Sequence, residues 1–198
     1  MKRVLCVIAA AGLLAAACGG AGGAAATTAP VAAATTAVPK TAAPTTAAPT
    51  VAPQTVYVFT ADLSPANENP AVVDAEASGS GTTTVTLTTT KDSTGKITAA
   101  TAKFEIVLKG FPATTMITIS HIHKGDAKTN GGVVVDSGMK AAEPITLTTG
   151  GTSITKDGLT VAADLAIDIV ANPGNYYYNV HSVVHPGGVV RAQLKAKS

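Results

Sequence analysis

The chain has 198 residues and a formal net charge of +2, and without Lys2 and Arg3 at its very start basic and acidic residues balance at 12 against 12. A chain with no net positive field does not clasp nucleic acid through a basic face. The only cysteines, Cys6 and Cys18, precede the body of the chain, so a disulfide scaffold and a thiolate zinc site are both excluded.

Met1-Lys2-Arg3 is a short basic start, followed by an apolar run from Val4 to Ala17. At 1.5 Å per residue the run spans roughly 21 Å, short of a bilayer core of roughly 30 Å. Residues 1–17 therefore read as a secretory signal peptide. The sequence Leu13-Leu14-Ala15-Ala16-Ala17-Cys18-Gly19 resembles the lipobox of bacterial lipoproteins, with Ala15 where Leu is usual. That resemblance implies a diacylated Cys18 as the mature N-terminus, and two acyl chains suffice for stable anchoring. Ala15-x-Ala17 also satisfies an ordinary signal-peptidase site, whose cleavage releases a soluble secreted protein.

Residues 18–54 hold this Cys and a tether. Gly19 to Pro53 contains 14 Ala, 8 Thr and 5 Pro, with no aromatic or long aliphatic side chain to seed a core. The prolines interrupt any alanine helix, and the expectation is a disordered spacer.

Residues 55–198 form one domain large enough to bury a core. Thr55–Leu63 is β-branched and aromatic, Thr82–Thr90 sets Val85 and Leu87 on one face, and Ile97–Leu108 alternates Phe104, Ile106 and Leu108 against solvent positions. Lys91–Lys96 and Gly110-Phe111-Pro112 are turns. Thr115–His123, Val133–Asp136, Ile145–Thr149, Tyr176–Val184 and Val189–Ala196 complete the strands. Thr160–Ala171 spaces Val161, Leu165 and Ile169 four apart, ahead of Asn172-Pro173-Gly174, and predicts a short helix capped by Thr160. A strand is the alternative there, because Leu165, Ile167 and Ile169 also alternate. Many short strands with Gly/Pro turns mean an all-β fold of two packed sheets.

Three segments resemble the CHRD domain, named after chordin: Phe59–Pro70 with its Asn67-Glu68-Asn69-Pro70 loop, Ile119-Ser-His121-Ile-His123-Lys-Gly125, and Gly174–Leu194 with Asn179-Val-His181, Pro186-Gly-Gly and Arg191-Ala-Gln193. Asn69, Val189 and Ala192 stand where the family usually has Val, Glu and Gly. The resemblance implies a Greek-key antiparallel β-sandwich of superoxide-dismutase-like or immunoglobulin-like type, and says little about activity.

All four histidines lie in two short stretches, His121 with His123 and His181 with His185. Positions i and i+2 of a strand share a face, roughly 6.5 Å apart, so His121 and His123 can grip one ion. If the two strands are neighbours, His181 joins them, and an all-imidazole site suits Cu or Zn. The pattern loosely resembles Cu/Zn superoxide dismutase, although the bridging His, the zinc-ligand cluster and the disulfide of that enzyme have no counterpart. The competing expectation is a hydrogen-bonded polar network in which the histidines, Asn179, Arg191 and Gln193 satisfy one another. His185 beside Pro186 reads as a loop residue. Asp62, Glu68, Asp74 and Glu76 fit no compact calcium loop. No nucleophile–base pair or phosphate cradle stands out, so no catalytic residue is assigned. The resulting expectation is a non-enzymatic, membrane-anchored module that binds a surface protein or polysaccharide, with a copper/zinc protein carrying a superoxide-dismutase-like site as the alternative.

Overall fold

The computed structural model describes residues 52–197; the leader, Cys18 and nearly all of the tether lie outside the described residues. Two antiparallel sheets pack face to face. The first runs β10-β1-β2-β3-β7, from β1 (Gln54–Leu63), β2 (Ser80–Lys91), β3 (Ile97–Lys109), β7 (Thr152–Val161) and β10 (Lys195–Ala196). The second runs β5-β4-β8-β9, from β4 (Met116–Lys124), β5 (Val133–Asp136), β8 (Tyr176–Ser182) and β9 (Val190–Gln193), with β6 (Ile145–Thr146) added on β4. The chain crosses between sheets after β3, β6, β7 and β9, the alternation of a Greek-key sandwich.

Strand periodicity builds the core. Phe59, Ala61 and Leu63 of β1, Val85 and Leu87 of β2, and Phe104, Ile106 and Leu108 of β3 point inward and are buried. The second sheet answers with Ile117, Ile122, Tyr176, Tyr178 and Val180. Phe104 and Tyr178 meet edge to face across the sandwich, with centroids 5.1 Å apart. Each such side chain contributes about 2–3 kcal/mol by leaving water.

Two sequence expectations are corrected. The helix α1 spans Ala163–Ala171, and Thr160 is not its cap but a residue of β7, paired with Thr101. The strand β7 has no counterpart among the expected strands, and Lys156-Asp157-Gly158 within it has the composition of a turn. It forms a bulge instead: pairing to β3 shifts between Ala102 and Phe104, and Gly158 takes φ +67°. The strand expected over Ile145–Thr149 shortens to Ile145–Thr146, and the rest turns inward to bury Leu147.

The outer face of the second sheet is not left to solvent. Register places His121 beside Asn179 and Asn179 beside Arg191, with His123 beside Tyr177 and Tyr177 beside Gln193. His121, His123, Tyr177, Asn179, His181 and Arg191 all lie on this face, and all are buried. Loops cover them. The turn after β1 docks on the β9 edge through Ser64 N–H to Arg191 O (3.2 Å) and Arg191 N–H to Ser64 O (3.3 Å). The sandwich therefore carries a second, polar interior outside its apolar one.

Candidate metal centre

β4 and β8 are neighbours, and the structure brings His121, His123 and His181 together. One ring nitrogen from each lies within 4.8 Å of the other two. His121 Nδ1 is 3.3 Å from His181 Nε2. Two nitrogens bound tetrahedrally at zinc distances sit about 3.3 Å apart, so this pair already has the spacing of ligands on one ion.

Hydrogen bonds fix which nitrogens carry protons. A carbonyl only accepts, so His123 Nδ1 donates to Gly131 O at 2.9 Å and His181 Nδ1 donates to Pro186 O at 2.9 Å. Both Nε2 atoms are then bare lone pairs. His123 Nε2 is buried with no hydrogen-bond partner at all. His121 Nε2 faces Asp136 Oδ2 at 3.6 Å, and that carboxylate favours a proton on Nε2, which frees Nδ1. With the His121 proton on Nε2, the donor set is one Nδ1 and two Nε2 lone pairs from three rings held close together. Carbonyls and a carboxylate behind metal-binding imidazoles are the usual orienting partners.

Burial also keeps the rings neutral. Desolvation lowers the pKa of His121 and of His123, with Asp136 and the Gly131 carbonyl opposing it in turn. His181 is driven down to about 4, by desolvation first, then by the nearby His121 and His123. Neutral imidazole is the form that ligates.

The rest of the face holds the triad in place. The His123 ring stacks on Tyr177 at 4.8 Å and 3° from parallel, and the Arg191 guanidinium carbon lies 3.7 Å from the same tyrosine ring. Gly131 N–H donates to Tyr177 Oη at 3.1 Å. A Cβ at Gly131 would stand 1.6 Å from Lys124 O, so only glycine lets the loop close over His123.

The expected mutual network of Asn179, Arg191 and Gln193 with the histidines is corrected. Arg191 donates to Asn130 Oδ1 (2.9 Å) and to the carbonyls of Asp126 (2.8 Å) and Thr129 (3.2 Å). Gln193 donates to the carbonyls of Gly125 and Gly174. Asn179 Oδ1 is buried without a partner. The long side chains reach past the histidines because the covering loop presents carbonyls that a guanidinium and an amide satisfy better than imidazole does.

His185 stands apart from the triad and faces carboxylates, with Nε2 3.0 Å from Asp74 Oδ2 and 3.8 Å from Glu76 Oε2. Glu68, which the sequence offers only as a poor calcium ligand and as part of a family motif, is buried at this face. Its loop folds onto the polar face, where Oε1 is buried without a partner, and burial lifts its pKa to about 7 despite the nearby Arg191. Its place in the Asn67-Glu68-Asn69-Pro70 motif is the sequence signal that points to this loop.

A family model described as CHRD domain matches residues 59–194, more than half of the chain. No curated protein and no solved structure is similar enough to the chain to count as a match.

Proposed function

Because the chain belongs to the CHRD family, we propose that it is a non-enzymatic extracytoplasmic binding module, anchored by lipid on Cys18, that holds a copper or zinc ion on His121, His123 and His181. The observation that carries the metal reading is the convergence of three buried imidazoles, two of them with their Nδ1 committed to Gly131 O and Pro186 O and the third with Asp136 beside its Nε2 to take up the proton that an ion displaces from Nδ1. An ion held by His121 Nδ1 would leave that ring's proton on Nε2, beside Asp136. Copper is favoured over zinc by the ordinary affinity order for nitrogen ligands.

A holding role fits better than superoxide turnover. The three histidines are only 5–8% exposed, and among the described residues none of them lines the cavity bounded by Glu68 and His185, the one bounded by Asp62 and Lys195, or the one bounded by Glu76 and Met116. The extracytoplasmic placement rests on the family, an extracellular-type domain, and on the Leu13–Gly19 segment. Among the described residues no helix is long and apolar enough to cross a membrane.

Elemental analysis of protein purified without a metal-binding tag tests the reading. About one equivalent of copper or zinc is expected, and its loss in His121→Ala and His181→Ala. Metal-free protein that takes up neither ion on incubation would overturn it.

A further inference from the structure

Glu68 lies in the strip between two cavities. One, of about 680 Å³, is lined by Asp62, Lys128, Arg191 and Lys195, where carboxylates already face cations: Lys195 Nζ is 3.5 Å from Asp62 Oδ2. The other, of about 410 Å³, differs in kind. Its walls include Glu68 and Asp74 and no lysine or arginine.

Several of the other polar groups of the smaller cavity are already committed. Asn69 Nδ2 donates to Lys128 O, Asn130 Nδ2 donates to Asn69 O, and Asn130 Oδ1 accepts from Arg191. Asp74 accepts from Glu76 N–H and faces His185. Glu68 is left over. It is 8% exposed, and its Oε1 has no hydrogen-bond partner. A Cβ at Gly188, where φ is +134°, would come within 2.7 Å of Glu68 Oε2, so the backbone closes tightly behind the carboxyl. The rest of the wall is aliphatic, from Pro70, Val72, Val184 and Pro186.

We propose that this cavity binds a primary alkylammonium group, such as the end of a lysine side chain on a partner, with the ammonium on Glu68 and its methylene stem along Val72, Val184 and Pro186. A buried carboxyl without a partner is costly, and a charge-assisted hydrogen bond from an ammonium relieves that cost. The aliphatic wall favours a linear stem over a hydroxylated ring. Arg191 does not substitute, because its donors go to the 126–130 loop.

The test is a titration of the full mature chain with n-butylammonium at about pH 8, where the raised carboxyl of Glu68 is ionised. The amide resonances of Asn130, Gly187 and Gly188 report binding. Saturable shifts are expected, absent with n-butanol and weaker with glucosammonium. Glu68→Gln should abolish them. Val184→Lys alters an exposed wall residue and sets a resident cation at the mouth, so it should weaken binding about tenfold while leaving the fold intact. Any one of four results would overturn the proposal: no shifts with butylammonium, shifts that survive both variants, tighter binding of glucosammonium, or a response to Ca²⁺ alone. None of these outcomes depends on the triad of His121, His123 and His181.

Discussion

His121 Nδ1 and His181 Nε2 stand 3.3 Å apart on adjacent strands, although 60 positions separate them in sequence. The second nitrogen of His181 is tied to Pro186 O, so its Nε2 can only accept. Without an ion, His121 must keep its proton on Nδ1 to avoid two opposed lone pairs. With an ion between them, that proton belongs on Nε2 beside Asp136. The position of one proton thus distinguishes the two states.

Asp136 should therefore tune affinity without touching the ion. Asp136→Asn is expected to weaken Cu²⁺ binding by about tenfold, the usual scale for the partner behind a ligand. Its side chain is 61% exposed, so stability should barely change. Competition titration against a chromophoric chelator measures the affinity, and an unchanged value would remove Asp136 from the site.

Stability should depend on pH through two opposing groups. His181 titrates at about 4 in the folded chain against 6.5 ordinarily, so the unfolded chain binds the extra proton between those values. Its effect is a loss of stability as pH falls from 6.5 to 4, about 3 kcal/mol in all. Glu68 is raised from 4.5 to about 7, so the folded chain binds the extra proton and stability falls as pH rises through that window, by a similar amount. Between about pH 4.5 and 6.5 these two nearly cancel, and the depressed His121 and His123 leave a net rise with pH. Glu68→Gln, which mimics the protonated carboxyl, should make that rise steeper. Urea melts across the range check this, and an identical slope in parent and variant would contradict it.

Arg191 is 1% exposed, donates three hydrogen bonds to the covering loop and stacks on Tyr177. Arg191→Lys keeps the charge and loses the planar fork, so it should cost roughly 2 kcal/mol or more. A thermal melt unchanged from the parent would show that the fork contributes nothing.

Anchoring is expected to depend on Cys18. Cys18→Ala should shift the protein from the membrane fraction to the soluble extracytoplasmic fraction or stall its processing. Retention in the membrane with normal N-terminal processing would rule out the lipid.

Much of the sandwich is legible in sequence because its strands keep period two: Phe104, Ile106 and Leu108 alternate and are buried as alternation requires. The same rule sets His121 and His123 on one face. It says nothing about partners, and the pairing of β4 with β8 that adds His181 is a long-range fact. β7 is not among the expected strands, and a bulge at Asp157-Gly158 within it carries the residues of a turn. The Glu68 cavity was hidden for a different reason. Its walls come from the 68–74 segment, the 184–188 loop and Asn130, brought together when the turn after β1 docks on β9, and no local pattern encodes that docking.

The central claim is that the three imidazoles form one metal site, and calorimetric titration of the metal-stripped protein with Cu²⁺ tests it most directly. The account predicts one ion per chain, with affinity falling only as pH drops through the depressed range of the three histidines, below the ordinary 6.5 and toward about 4 for His181, because protonated imidazole cannot ligate. At a hundredfold excess over the dissociation constant the ion should add about 2.7 kcal/mol of stability. His121→Ala and His181→Ala should each abolish the heat, whereas His185→Ala, altering a side chain committed to Asp74, should leave it. No heat and no thermal shift in the parent would contradict the account and leave three buried histidines with a purely structural role.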